Sequence, residues 1–180
     1  DAYPMKKESD FPGTLEDNVH ERGAMRRLLS DCAPVEIGER VKIFLRFLVI
    51  GAWQSEPHHQ HQNPYERSWQ TVKHRVNVLL DRSGAPAYTW LLCLLYVTYL
   101  LNNTYNDNIS GVPLCKLTGS TTDCSPLMQF HWWQKVHFRH EDASFPSDTI
   151  EGTGRFVGIA ENIGHALTFK ILNDDTRHVI

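Results

Sequence analysis

The sequence has little of several features that would place it at once in a functional class. Its longest apolar run, Ala87 to Leu101, is 15 residues with polar interruptions, which is short for a membrane span and typical of a buried helix. There is no internal repeat, and the charged N-terminal segment contains no signal-peptide apolar region. None of the four cysteines forms a Cys-x-x-Cys pair, so we predict reduced thiols in an intracellular protein. The cysteines are Cys32, Cys93, Cys115 and Cys124, and Cys93 is predicted to be a core residue because it lies inside the apolar run 87–101.

Excess positive charge is also absent overall, since the net charge is −3. This value argues against a protein that binds nucleic acid through bulk charge alone. The distribution is uneven, however: residues 22–82 carry 10 Lys/Arg against 6 Asp/Glu, and the rest of the chain is acidic. A phosphate backbone could bind to this basic stretch. The alternative is a pair of solvated helix faces.

Hydrophobic periodicity predicts a mixed α/β chain. A short helix is predicted from Thr14, as its N-cap, to Arg22, with Gly23 as its stop. Ile37, Val41, Phe44 and Leu48 form a helical stripe after Pro34. A further helix is predicted from Tyr65 to Arg82, with an apolar stripe formed by Tyr65, Trp69, Val72, Val76 and Leu79. Predicted strands, in chain order, are Met25–Ser30, Val49–Trp53, Phe130–Phe138, Arg155–Ala160 and Ala166–Leu172, with a further strand starting at Arg177. An acidic, Pro/Gly-punctuated linker is expected at residues 140–154.

Two carboxylates stand where these elements begin and end. Asp31 follows a predicted strand, and Glu66 lies at the start of the long amphipathic helix, with 34 residues between the two. A strand-end aspartate and a helix-borne glutamate can share a divalent metal, as metal-assisted phosphoryl transfer requires. The alternative is a turn aspartate and a helix-capping glutamate. His58, His59 and His61 lie in a polar loop, for which we predict no zinc site.

A polar stripe continues from Glu66 along the same predicted helix. Gln70, Lys73 and Asn77 follow at helical spacing, and they could contact phosphates or bases. A solvated helix face would give the same pattern. Trp132 and Trp133 could stack on bases or belong to the core of a small β-module, and both interpretations stay open.

Several segments resemble one known family, the integrase region of Ty1/copia-type retrotransposon polyproteins, most closely the copia-like elements of marine diatoms. The resemblance covers nearly the whole chain. The segments that carry it are Phe11–Asp17, Glu21–Met25, Leu29–Ala33, His61–Arg67, Arg82–Pro86, Trp90–Leu94, Phe145–Ser147 and Gly154–Glu161.

The resemblance implies a ribonuclease-H-like α/β core that uses two aspartates and a glutamate to hold Mg²⁺ or Mn²⁺. Asp31 matches the second catalytic aspartate, Glu66 matches the catalytic glutamate, and Asn63 belongs to the flexible loop beside the active site. Lys73 matches a position that touches element-end DNA. We add Gln70, Asn77 and Arg67 to the candidate DNA contacts. The implied partners are element and target DNA and further copies of the protein, in the nucleus and without a membrane.

The family's first aspartate would lie upstream of residue 1, so we expect residues 1–180 to be a partial core and inactive in isolation. Cys32 departs from the Asn-Gly usual after this aspartate. The predicted fold is a partial ribonuclease-H-like core (1–111), a connecting segment (112–154) and a small β-rich module (155–180). The predicted function is metal-dependent processing and joining of DNA ends in the intact parent. The alternative is a non-catalytic nucleic-acid-binding or interaction relic.

Overall fold

The computed structural model describes residues 2–30, 33–54, 64–139, 150–161, 163–165 and 167–180. They form two compact units, Asp1–Thr71 and Val72–Ile180, and the boundary falls within one long helix. In these ranges no helix has the length and apolar character needed to cross a membrane. The elements are α1 (Phe11–Arg22), β1 (Arg27–Ser30), α2 (Glu39–Phe47), β2 (Gly51–Gln54), α3 (Pro64–Ser83), α4 (Trp90–Asn103), α5 (Pro113–Thr118), β3 (Lys135–Arg139), β4 (Glu151–Ile159) and β5 (Phe169–Asn173).

The first unit contains a strand–helix–strand crossover. β1 and β2 are parallel, with Arg27 opposite Gly51 and Ser30 opposite Gln54. Parallel neighbours need a crossover connection, which α2 supplies. Both strands therefore end at the same edge of the sheet, the edge at which open α/β sheets bind their ligands.

The helix ends differ in detail from the sequence prediction. α1 begins at Phe11, so Thr14 is not its N-cap but lies in the first turn, where its hydroxyl donates to the Phe11 carbonyl at 2.8 Å. α2 begins at Glu39 and not at Pro34, because the amides of Glu36 and Ile37 bond to the Ala33 carbonyl in a separate turn. The predicted end of α1 is confirmed, since Gly23 follows Arg22 with a φ of 83°.

The core of the first unit joins α1, α2 and the start of β2. Leu15, Val41, Leu45 and Ile50 are buried together, and Phe44 and Leu48 of the predicted stripe pack against them. Burying one such side chain contributes about 1.5–3 kcal/mol. This cluster fixes the crossover, and with it the edge at which β1 ends.

The second unit packs α4 against an antiparallel sheet in the order β3-β4-β5. Phe156 of β4 is only 1% exposed and lies at the centre of an aromatic cluster. Its ring is 5.7 Å from that of Tyr96 on α4 and 5.5 Å from that of Phe130. Trp132 stacks on Tyr96 at 5.3 Å and is buried. Of the two tryptophans left open by the sequence, Trp132 therefore belongs to the core.

Strand boundaries in this unit also differ from the prediction. β4 starts at Glu151, inside the segment that was expected to be a linker. The sequence suggested a linker because Gly152 and Gly154, among the first four residues of this strand, are typical of turns. A Cβ at Gly154 would lie 2.5 Å from the Ile171 side chain, so glycine permits the close approach of β5. β3 starts only at Lys135, and the strand expected from Arg177 is a single bridge between Val179 and Leu172. The predicted domain boundaries at residues 111 and 154 stay a prediction.

Candidate active site

The carboxyl edge of the parallel sheet is where the sequence predicts metal-binding groups. β1 is described as far as Ser30, the residue directly before Asp31. β2 ends at Gln54 on the same edge. Asp31 and Cys32 lie outside the described residues, as do residues 55–63, which include Asn63. The position of the Asp31 carboxylate therefore stays a prediction.

Glu66 lies in the first turn of α3, which begins at Pro64 as its first residue. Proline suits this position because its fixed φ matches a helix and its missing N–H would have no helical partner there. Glu66 is half-buried. A carboxylate in a first turn is stabilised by the unpaired amides and the helix dipole. This setting places the side chain of Glu66 in the first turn of a 20-residue helix.

The candidate DNA contacts follow Glu66 on the same helix. Arg67, Gln70, Lys73 and Asn77 all lie within α3, and all four are exposed. Exposure is necessary for contact with a phosphate backbone, and their role in binding DNA stays a prediction.

The apolar side of α3 is only partly buried. Val76 is 6% exposed, whereas Tyr65 is 59% and Trp69 46% exposed. The sequence predicted one continuous apolar stripe, and burial is seen only in its second half. Periodicity indicates which side of a helix is apolar, but it does not reveal which turns have packing partners.

The basic stretch at residues 22–82 presents its charges to solvent. All of its Lys and Arg residues except the half-buried Arg22 are exposed. Arg40 pairs with Glu16 at 3.1 Å across two exposed side chains. Exposed pairs of this kind are worth about 0–1 kcal/mol, so the pair leaves Arg40 available to other anions.

The described residues do not by themselves form a metal site. Within the described ranges no group of three or more His, Cys, Asp or Glu side chains converges as metal ligands would. Of the two predicted ligands, Asp31 and Glu66, the described residues include only Glu66. A divalent cation takes several oxygen ligands, so Mg²⁺ would need Asp31 as well as Glu66.

A concave surface in the second unit was not predicted. It is lined by residues far apart in the sequence, among them Tyr88, Trp133, Arg155 and Arg177. Only Trp133 had been considered as a base-stacking residue. The other three carry no local motif, so only the packing of the second unit brings them together.

Comparison with known proteins identifies the fold. No protein-family model matches the chain, and no curated protein sequence matches it. Among solved structures, the HTLV-2 integrase catalytic core domain in complex with magnesium is 10% identical in sequence and has a TM-score of 0.48. The match covers 63% of this chain and 70% of the HTLV-2 chain. The catalytic core domain of BIV integrase is 17% identical, with 66% and 76% coverage and a TM-score of 0.50.

A third match comes from the simian T-cell lymphotropic virus intasome in complex with PP2A regulatory subunit B56 gamma. It is 13% identical, covers 97% of this chain and 61% of that one, and has a TM-score of 0.52. The BIV and simian virus matches show that the chain has the mixed α/β fold of integrase catalytic cores, accompanied by a small antiparallel sheet. The predicted ribonuclease-H-like fold class is thereby confirmed.

Proposed function

We propose that this chain is part of a DNA integrase of the Ty1/copia type, with Asp31 and Glu66 as ligands of a shared divalent cation. The observation that carries the proposal is the order of the elements along the chain. A strand runs up to the residue before Asp31, its parallel neighbour runs in the same direction, and α3, the next described helix, has Glu66 in its first turn. The integrase-core fold supports this assignment.

The reaction of the intact parent would be metal-dependent cleavage and joining of DNA ends. Bound Mg²⁺ or Mn²⁺ would activate water or a DNA 3′-hydroxyl and stabilise the leaving oxygen. Glu66 contributes a carboxylate on a rigid helix, so one ligand is held in place before the cation arrives. Element and target DNA are the proposed partners, together with further copies of the protein.

DNA positioning is assigned to the exposed side of α3. Lys73 offers a point charge for a phosphate, and Arg67 offers a planar fork for two phosphate oxygens. Gln70 and Asn77 can donate and accept hydrogen bonds with the backbone or with bases. These contacts fix register on the duplex, and they carry little sequence information.

Cation binding by the 180-residue chain tests the proposal directly. We expect calorimetry to detect one Mn²⁺ site, and Glu66→Gln to weaken it by tenfold or more because a neutral amide replaces a charged ligand. Glu39→Gln is the matched control, since Glu39 is also a carboxylate in a first helical turn, that of α2. The control should bind Mn²⁺ as the unaltered chain does.

The result also separates the two functional hypotheses. Loss of Mn²⁺ affinity in Glu66→Gln with DNA affinity retained supports the integrase assignment. Equal Mn²⁺ affinity in Glu66→Gln, Glu39→Gln and the unaltered chain would overturn it. If DNA still bound with a steep salt dependence in that case, the chain would be a nucleic-acid-binding relic without a metal site.

A further inference from the structure

A surface cavity of about 360 Å³ lies in the second unit, and all the residues that line it lie outside α3. Its wall includes Gly84 and Pro86 from the connection between α3 and α4, and Arg155 and Asp174 from the antiparallel sheet region. Ligand-binding cavities in proteins typically measure about 300–1,000 Å³. The cavity is therefore large enough for a small ligand or for one unit of a polymer.

Two aromatic side chains line this cavity. Tyr88 is 60% exposed, and the turn that carries it is held by the Thr89 hydroxyl and amide, which both donate to the Pro86 carbonyl at 2.7 and 2.9 Å. Thr89 is itself buried, so the turn is anchored from beneath. Tyr88 thus offers an exposed ring on a fixed backbone, which is the arrangement that stacking on a base requires.

Trp133 adds the second ring, in an uncommon backbone conformation. Its φ is 66°, a left-handed value that few residues other than glycine adopt, and its amide donates to the Phe156 carbonyl at 2.9 Å. Its neighbour Trp132 stacks in the core. The turn therefore places Trp132 in the core and Trp133 at the cavity. Backbone strain of this kind is often retained where a side chain has a functional role.

The cavity is also cationic. Arg177 donates from Nη1 to the Tyr88 hydroxyl oxygen at 2.6 Å, and this neutral partner does not offset the charge of the guanidinium. The Arg155 guanidinium lies 5.8 Å from the centre of the Trp133 ring, and its Nε is 3.8 Å from Asp174 Oδ1. Two arginines thus face one aspartate, and the lining favours an anion.

We propose that this cavity binds one unpaired nucleotide of single-stranded DNA. The base packs on the aromatic surface of Tyr88 and Trp133, and its phosphate is bound by Arg177 and Arg155. Aromatic rings beside arginines are the combination by which proteins bind single strands with little sequence preference. That the nucleotide belongs to a DNA strand rests on the proposed function, and the cavity itself does not depend on the metal site.

The test compares single-stranded with double-stranded DNA. Affinities of the full chain for a fluorescein-labelled oligothymidylate and for a short duplex are measured by fluorescence anisotropy. Tyr88→Leu should weaken single-strand binding by roughly tenfold or more and leave duplex binding unchanged, because only an unpaired base can stack. Arg177→Gln should lower the salt dependence of single-strand binding by about one ion.

Matched controls are available in the same unit. Tyr105→Leu removes a ring that is 65% exposed, and Arg139→Gln removes an exposed arginine of β3, both outside the cavity lining. Neither should change the preference for single strands. Circular dichroism checks that each variant is folded, and Tyr88 and Arg177 are exposed residues whose replacement removes little packing.

The outcomes distinguish the cavity from the proposed function. If Lys73→Gln weakens binding of both DNA forms while Tyr88→Leu and Arg177→Gln change neither, the cavity proposal is overturned and the DNA-binding function stands. If the unaltered chain binds neither form, both proposals fail. Selective loss of single-strand binding in the two cavity variants is the expected result.

Discussion

At the residue scale, Cys93 and Cys115 have opposite chemical environments. Cys93 was predicted to be a core residue, and it is fully buried with its thiol 3.8 Å from the Val76 carbonyl. Burial raises the pKa of the Cys93 thiol to about 11. Cys115 instead lies 2.9 Å from the Thr122 hydroxyl and accepts from the Thr122 amide, and these hydrogen bonds lower its thiol pKa. The sequence does not predict this contact, because Cys115 lies within α5 and Thr122 lies beyond its end, so the two residues are not related by helical spacing.

These settings predict different alkylation rates. Since the thiolate is the nucleophile, iodoacetamide at neutral pH should modify Cys115 many times faster than Cys93. Thr122→Val removes the hydroxyl that contributes most to the lowered pKa, so it should slow the modification of Cys115 and shift its pH profile upwards. Peptide mass mapping measures both rates. Equal rates for Cys115 with and without the Thr122 hydroxyl would contradict the assignment.

The buried thiol of Cys93 makes the stability of the chain depend on alkaline pH. Because the pKa of Cys93 is higher in the folded chain, the folded state keeps its proton where the unfolded state would lose it. The resulting contribution to the free energy of unfolding is complete below the ordinary thiol pKa and declines as the pH rises towards about 11. Cys93→Ala should remove that decline in urea titrations, at the cost of some packing at all pH values.

At the element scale, the sequence predicts helices and strands well and their ends less well. α3 was expected over Tyr65–Arg82 and spans Pro64–Ser83, because its apolar positions recur over five turns. α2 was expected to start at Pro34 and starts at Glu39, since a separate turn precedes it. Ends depend on individual hydrogen bonds, which periodicity does not encode.

The end of α2 gives a testable case. The Val49 amide bonds to the Arg46 carbonyl and the Ile50 amide to the Leu45 carbonyl, at 3.2 and 2.8 Å, the pattern of a Schellman cap. Val49 occupies the left-handed position of this cap with a φ of 57°, where glycine is usual. A residue with a Cβ costs roughly 1–2 kcal/mol in this conformation. Leu45 and Ile50 are both buried, which anchors the cap.

Val49→Gly should therefore raise the free energy of unfolding by about 0.5–1 kcal/mol. This value is the backbone strain that glycine relieves in the folded state, minus the stabilisation of the unfolded state by the greater conformational entropy of glycine. Val49 is 89% exposed, so almost no packing is lost. Ile43→Gly is the control, because Ile43 is exposed within the same helix and glycine there should cost about 1 kcal/mol. Urea denaturation followed by circular dichroism gives both values. A loss of stability in Val49→Gly would show that the cap is not strained.

At the scale of the whole molecule, features that depend on neighbouring residues in the sequence could be predicted, and features that depend on residues far apart in the sequence could not. The strand end before Asp31 and the helix start at Glu66 are local signals, and the structure has both elements. The cavity could not be predicted, because Tyr88 and Arg177 are 89 residues apart and meet only through the packing of the second unit. Likewise, β4 was partly missed because its glycines serve a close strand contact and not a turn.

The measurement that tests the central claim most directly is a crystal structure of the chain with Mn²⁺, in which anomalous scattering locates the ion. We predict one ion bound by carboxylate oxygens of Asp31 and Glu66, each about 2.1 Å away, at the edge where β1 ends. Two ordered carboxylates more than about 12 Å apart could not share one ion at such ligand distances. That separation, with no ion at Glu66, would contradict the account.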